Sequence, residues 1–518
     1  MDTFKISLLS ILVLLLVFYS FWYRSQKTLP PGVRQLPGPK GLPFIGRVHD
    51  VPSEATWLKF WEWAKEYGPI YQHEIFGSIH IWISSEQIAN DLLAKRGSIY
   101  SDRPVIPNLP DNRTSGDYLA LLGNTETWKR QRKYSHHILS RSHTASQHSY
   151  PTIERNRLLY KLLVEPSKYE FYLEEYTGRT ISRLAWGSAD HQPKLKKNAF
   201  GLLTTISPSG SVPNVVSWLT ILPTWLSPWK QAERARHAAE TEFFRNALRA
   251  VEAASLTGEV NPSYSKMFWE GREKGGWEEE EWTHVIGMMA IAGALTMASP
   301  LQTYILAICH HPEWQTKMQD QIRQVCGDRC PEWSDRADLH VVRAVIKEVL
   351  RWRPPVPTGI PHRLENDDIY GEYFIPAGAT IHALEWGLCR DPEKYPDPES
   401  FRPERWLDSS YPTYREPLTT YPNLKSYHQF GFGRRLCQGV EIVDQVLFLA
   451  ISGMAWAFDI RKKRNRFGNE IDIPWLKYTS LLIAKPDSFE FDMTAASEEK
   501  RRIIEDEGKL AGSRPVAQ

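Results

Sequence analysis

The sequence predicts a mainly helical α+β domain carried on one N-terminal membrane-spanning helix. Three observations predict it. Helical apolar stripes recur along the body, strand-like alternation is confined to two short regions, and an uncharged apolar stretch lies near the start. A chain of 518 residues at 42% hydrophobic composition can bury a large core. A net charge of +2 without a long basic tract argues against nucleic acid as a partner.

Ile6 to Tyr23 runs 18 residues without a charge. As a helix it spans about 27 Å, the thickness of a thin bilayer such as that of the endoplasmic reticulum. Phe21, Trp22 and Tyr23 make an aromatic belt, and Arg24, Lys27, Arg34 and Lys40 follow. That positive excess keeps the downstream chain in the cytosol. A cleaved signal peptide would instead carry a more basic start and a small-residue cleavage site. Residues 1–28 are therefore expected to be a retained single-pass anchor in the endoplasmic reticulum membrane. Residues 29–49, "LPPGVRQLPGPKGLPFIG" and its flank, are too rich in Pro and Gly for a helix and make a stiff hinge. The main domain is expected over residues 50–495, and a polar tail over 496–518 is expected to fray.

Within the domain, Glu54 to Gly68 carries an apolar stripe and stops at glycine. Pro69 to Ser85 alternates like a β-hairpin, and strand signals return only in Asp367 to Leu384. Val285 to Cys309 has no charge in 25 residues. Length alone would let it cross a membrane, but Thr296, Ser299, Gln302 and Thr303 suit a helix through the centre of a globule, bent at Pro300. Val212 to Trp229, rich in Trp and broken by Pro, reads equally as a membrane-dipping segment, a hydrophobic entrance or a buried loop. The run from Arg461 to Arg466 reads as a solvated loop.

Five cysteines are too few and too irregular for a disulfide framework, and Cys326 with Cys330 makes half a metal site at best. Cys437 differs from the rest. It follows Gly431, Gly433, Arg434 and Arg435, and an apolar helix is expected from about Gln438. Arginines and a helix N-terminus both lower a thiol pKa, which a nucleophile or metal ligand requires. The glycines remove side chains where the backbone passes something flat or bulky.

Phe430, Gly433, Arg435, Cys437 and Gly439 reproduce F-x-x-G-x-R-x-C-x-G, and on this motif the chain resembles the cytochrome P450 family. It is similar to microsomal members, and among them to fungal enzymes of secondary metabolism, over about residues 29–490. Further motifs follow in the family's order. Glu348 and Arg351 match E-x-x-R, and "FRPERW" supplies Arg405. Trp128 and Arg132 match W-x-x-x-R at i, i+4, and "AGALT" brings Ala292, Gly293 and Thr296.

The resemblance implies haem b with Cys437 as the axial thiolate ligand, which favours O–O cleavage. It implies a structural cluster of Glu348, Arg351 and Arg405 beneath the haem. It implies haem propionates held by Trp128, Arg132, His362 and Arg435, with Arg363 as an unmatched spare. Two electrons would come from NADPH through a separate reductase, with cytochrome b5 as a second donor. One oxygen atom would enter a hydrophobic small molecule, with Thr296 as the catalytic hydroxyl near dioxygen. Ala292 and Gly293 would let the central helix approach the haem.

Two positions depart from the pattern. Leu295 stands where the family carries an acid that relays protons, and Leu384 where it usually carries Asn. Leu295 keeps three other reactions open: radical coupling, another atypical oxidation, or a reductase-independent isomerisation or dehydration of a peroxide. A non-catalytic haem sensor is the reading from another functional class.

Overall fold

The computed structural model describes residues 29–109, 116–142, 149–216, 219, 221–275 and 278–513. The expected anchor at Ile6–Tyr23 lies outside the described residues, as does Trp218. Among the described residues helices dominate, and nine short strands make three small sheets. The strands are β1 (Arg34–Gln35), β2 (Ile70–Ile75), β3 (Ser78–Ile83), β4 (His362–Arg363), β5 (Asp368–Tyr370), β6 (Tyr373–Ile375), β7 (Thr380–Ala383), β8 (Phe458–Lys462) and β9 (Phe491–Ala495).

The expected hairpin is β2–β3, antiparallel with Tyr71 opposite Trp82. It extends through β7, which runs parallel to β3, and ends on β4. Helix Thr56–Tyr67 covers one face of it, stops at Gly68 in a positive-φ conformation, and buries Trp57, Phe60 and Trp63 against Trp82. Leu384 is fully buried in that same cluster, so apolar packing occupies the position of the expected Asn.

A helix fills the centre. It runs Glu279–Thr296, breaks at Met297 and resumes as Ala298–His310. Pro300 causes the break, because it has no N–H to offer the carbonyl of Thr296 one turn earlier. The 18-residue apolar window of this span is 67% buried, and that of helix Val440–Ala457 is 72% buried. Both are core helices. Helices Tyr169–Trp186, Gln192–Ile206 and Pro228–Thr257 pack around the first half of the central one.

Four expectations change. β8 and β9 form an antiparallel ribbon that the sequence did not announce, and Arg461 and Lys462 belong to β8 rather than to a loop. The Pro/Gly-rich segment is non-helical as expected but is part of the globule rather than a spacer before it: β1 pairs parallel with β6, and Leu36 is buried. The polar tail does not fray, because Glu498–Ser513 is a helix packed on helix Ser149–Val164 with Ile504 buried. Finally, Val212, Ile221, Trp225 and Leu226 are exposed, so this stretch is not a buried loop.

Candidate active site

Cys437 sits on a loop whose geometry is closed by backbone. Its N–H donates to Phe430 O at 2.7 Å, and helix Val440–Ala457 begins three residues later with Gly439 at its N-cap. Gly433 has φ +52°, and a Cβ there would lie 2.4 Å from Leu93 O. This glycine therefore serves the close approach of the Asn90–Lys95 turn. Gly431 also has positive φ, while Gly439 stands open beside the Cys437 sulfur.

Of the two features expected to lower the Cys437 thiol, the helix N-terminus does so and the neighbouring arginines do not. Burial pushes the Cys437 thiol up, against a Gly439 N–H and the Arg132 charge, which pull it down. Arg434 turns outward to Gly97, and Arg435 turns away to stack on Trp128. The helix starts at Val440, and the N–H of its N-cap Gly439 points back at the sulfur as expected.

A cavity of about 410 Å³ opens above this sulfur. Cys437 lies deep inside the protein, with its accessible surface facing that cavity. The cavity's far walls are apolar, with Leu119, Leu121, Ile181, Leu202, Met288 and Leu482 among them. Ala292, Gly293, Leu295 and Thr296 line it from the central helix. A Cβ on Gly293 would come within 2.7 Å of Ile181 Cδ1, so helix packing requires this glycine too. Thr296 Oγ1 donates to Ala292 O at 3.0 Å, which occupies its proton within the helix.

Cations gather on one side of the cavity. Thr125 caps the N-terminus of helix Glu126–Ser142 by accepting from Trp128 N–H at 3.2 Å, which sets Trp128 and Arg132 on the cavity-facing side. Arg435 lies 3.7 Å above the Trp128 ring and donates to Ser101 O and Leu122 O at 2.8 and 2.7 Å. Arg132 donates to Leu436 O. His362 Nδ1 meets Tyr100 O at 2.8 Å.

Arg103 joins them, unforeseen from the sequence, donating to Ile360 O at 3.0 Å and Pro361 O at 2.5 Å. Among the described residues, the hydrogen bonds of these three guanidiniums run to backbone carbonyls. Burial, with mutual repulsion, pushes Arg103 down to about 9 and Arg435 down to about 8. Burial likewise lowers Arg132, and burial and Arg103 hold His362 well below the usual imidazole range. Arg103 Nε is buried without a partner. Asp102 nearby offsets part of this repulsion, but among the described residues no carboxylate is hydrogen-bonded to the three guanidiniums. Arg363, the spare, pairs instead with Asp102 at 3.1 Å.

The second set of charges is closed. Glu348 binds Arg351 at 2.7 and 2.8 Å and Arg405 at 3.1 Å, all three with no exposed side-chain surface. Trp406 Nε1 and Arg402 N donate to the same carboxylate at 3.1 and 2.8 Å. The spare guanidinium protons go to the carbonyls of Cys389, Pro396, Pro398 and Ser400. Glu385, which lines the cavity where Glu348 does not, is held by His428 Nδ1 at 2.8 Å. Burial, with Glu86 nearby, pushes Glu385 well above the usual carboxylate range.

The comparisons with known proteins agree with this geometry. The cytochrome P450 family model matches residues 36–490. Cytochrome P450 monooxygenase 58 of Postia placenta is 32% identical over 481 residues, covering 90% of this chain and 88% of its own length. Cytochrome P450 monooxygenase fogE of Aspergillus ruber is 30% identical, covering 92% and 89%. Cytochrome P450 monooxygenase virE of Hypocrea virens is 31% identical, covering 91% and 87%. With a match across most of its length, the chain belongs to the cytochrome P450 family, the haem-thiolate monooxygenases.

Proposed function

We propose that this protein is a membrane-anchored monooxygenase oxidising a hydrophobic small molecule, an intermediate of fungal natural-product biosynthesis. One observation carries the reading: buried Arg103, Arg435 and His362, with half-buried Arg132, face a cavity floored by Cys437, and among the described residues no carboxylate is hydrogen-bonded to them. Haem fits that donor set, offering two propionates to the cations and an iron to the sulfur.

Cys437 holds the metal, and Arg103, Arg132, His362 and Arg435 hold the propionates, with Trp128 as the stacking platform. Bound haem supplies the dioxygen chemistry, driven by electrons from NADPH through a separate reductase. The chain's own residues orient substrate and exclude water. The apolar walls favour a substrate with few polar groups. Glu348, Arg351 and Arg405 hold the fold and take no chemical part.

Ile221, Trp225 and Leu226 are 83%, 75% and 49% exposed and offer a second contact with lipid beside the anchor. Leu295 favours a second reading, reductase-independent rearrangement, because it gives the cavity a hydrocarbon where a proton-relaying acid is usual.

Cys437→Ala tests the haem assignment: the strongly red-shifted Soret band of the reduced carbonyl complex disappears. Cys309→Ala, Cys326→Ala, Cys330→Ala and Cys389→Ala keep it. Persistence of the band in Cys437→Ala refutes the ligand. NADPH consumption with reductase and substrate separates oxygenation from rearrangement.

A further inference from the structure

A carboxyl–imidazole pair stands between the main cavity and a second one. Glu385, at the start of helix Glu385–Leu388, lines the main cavity together with Cys437. Its Oε2 lies 2.8 Å from His428 Nδ1, and its Oε1 makes no hydrogen bond among the described residues. His428 belongs to the turn that leads into the Cys437 loop. It lines a second cavity of about 150 Å³ with Glu86, Asn90 and Ser426. Ser426 is exposed and Glu86 partly so, which opens this second cavity towards water. Glu385 and His428 are themselves buried, at 4% and 3% exposure. The pair thus borders the haem site on one side and a polar, solvent-facing pocket on the other.

The groups around the pair decide how many protons it holds. Tyr395 Oη lies 3.1 Å from His428 Nε2 and fixes the ring. Burial, then Lys394 and Lys347, holds His428 well below the usual imidazole range and opposes a cationic ring. Burial and Glu86 oppose a negative Glu385, although Lys394, which Glu86 pairs with, pulls the other way. The remaining charges nearby are committed elsewhere, Arg351 to Glu348 and Arg390 to Glu399. Cys389 lies beside the pair, and burial pushes its thiol up to about 12, so it stays protonated. A second proton would make a buried cation facing two lysines. Loss of the single proton makes a buried anion. The pair therefore moves between two states, neutral with one proton and anionic with none. A negative charge added to the same low-dielectric interior raises the affinity for that proton.

We propose that Glu385 and His428 form a redox-linked proton site, taking up one proton when the haem iron accepts an electron and so setting the potential at which the reductase delivers it. The inference rests on the haem-thiolate reading. One electron from the reductase converts ferric iron to ferrous, and one proton from water enters through the second cavity. That proton ends shared between Glu385 Oε2 and His428 Nδ1, and the net charge of the buried site is unchanged. Glu385 is a positioning residue here. It acts on the entry of the electron through its charge, and does not stand in for the acid absent at Leu295.

The experiment uses the full-length, haem-loaded protein in detergent, titrated with dithionite and mediators under nitrogen across the neutral pH range. In wild type the midpoint potential falls as pH rises. The slope approaches a tenfold change in the reduction equilibrium per pH unit, 59 mV for one electron. Glu385→Gln, neutral at every pH, flattens the slope and holds the potential at the wild-type value of low pH. His428→Gln moves the pH at which the slope begins. His362→Gln, which alters the other imidazole at the cavity, keeps the slope. An indicator dye in weak buffer counts proton uptake directly on reduction, approaching one per electron in wild type and near zero in Glu385→Gln. A wild-type potential that does not move with pH overturns the proposal, as does reduction of wild type without proton uptake. So does a slope that survives in Glu385→Gln and vanishes in His362→Gln. The reduced carbonyl Soret band reports the haem separately, so failure here with that band intact leaves the monooxygenase reading standing.

Discussion

Two buried arginine clusters sit in one domain and differ in a single respect. Around Glu348, one carboxylate is shared by two guanidiniums, and backbone carbonyls take up the remaining protons. Burial works against Arg351, yet Glu348 outweighs it and keeps the guanidinium above its ordinary value. At the cavity, Arg103 and Arg435 bury their charge against carbonyl dipoles, and both are pushed down despite Asp102 nearby. Equal burial therefore has opposite meaning. The first cluster holds a hydrogen-bonded carboxylate within the polypeptide, and the second, among the described residues, does not.

The largest effect tests the closed cluster. Glu348→Gln leaves two guanidiniums buried without their counter-charge and costs about 3–5 kcal/mol. Thermal melting and the yield of folded protein read it. A variant as stable as wild type would remove the distinction between the clusters.

Next comes the open cluster. Arg435→Gln removes a cation that the polypeptide does not itself neutralise, so the chain folds but holds haem more weakly, by about 1.5–3 kcal/mol for a charge-assisted contact. Haem transfer to an apo-globin acceptor measures this. Unchanged haem loss with an equally lowered melting point would make Arg435 structural, like Arg351.

Acid offers a milder perturbation, because the arginines of both clusters stay charged. Three stacked histidines elsewhere do respond. Burial lowers His73 to about 2 and His80 to about 4, and holds His382 well below the usual range. Their folded values lie below the unfolded value near 6.5, so the unfolded chain binds more protons as acid is added. The stability they confer is complete above about pH 6.5 and falls as pH drops towards 4. The loss approaches about 1 kcal/mol per histidine by pH 5.5. Denaturant melts at pH 7 and 5.5 measure it, and His80→Gln should flatten the slope.

Smallest in stability is Leu295→Asp, which alters the cavity and neither cluster. If the enzyme hydroxylates with an imperfect relay, the new acid couples NADPH use to product more tightly. If Leu295 packs on substrate, the buried carboxylate weakens binding instead. Product, peroxide and NADPH are counted together, with Thr296→Ala as the companion variant, expected to release more peroxide per NADPH.

Much of the site was legible because fixed spacing on single elements carries it. The Cys437 loop, Trp128 with Arg132 and Glu348 with Arg351 each need only a few neighbouring residues. The break at Met297 followed from Pro300 for the same local reason. Arg103 was missed because nothing near it signals burial; its partners, Ile360 and Pro361, lie more than 250 residues away. Strands β8 and β9 are separated by an irregular polar stretch, and tertiary pairing alone defines them. The last helix has too few apolar residues to declare a buried face until helix Ser149–Val164 supplies one. Arg434 and Arg435 stand beside Cys437 in sequence, but which way their side chains turn is settled only by packing against Gly97 and Trp128; the Gly439 N–H acts on the thiol as expected.

Arg132 reaches Leu436 across 304 residues of chain. Synthesis at about 5–20 residues per second separates those two residues by roughly 15–60 s. Through that interval the ribosome holds a nascent chain with Arg103 and Arg132 made and with both Arg435 and the Cys437 thiol absent. The two halves of the site thus meet only near the end of synthesis, and a chain that stalls before Arg435 presents a cationic cluster that is itself incomplete.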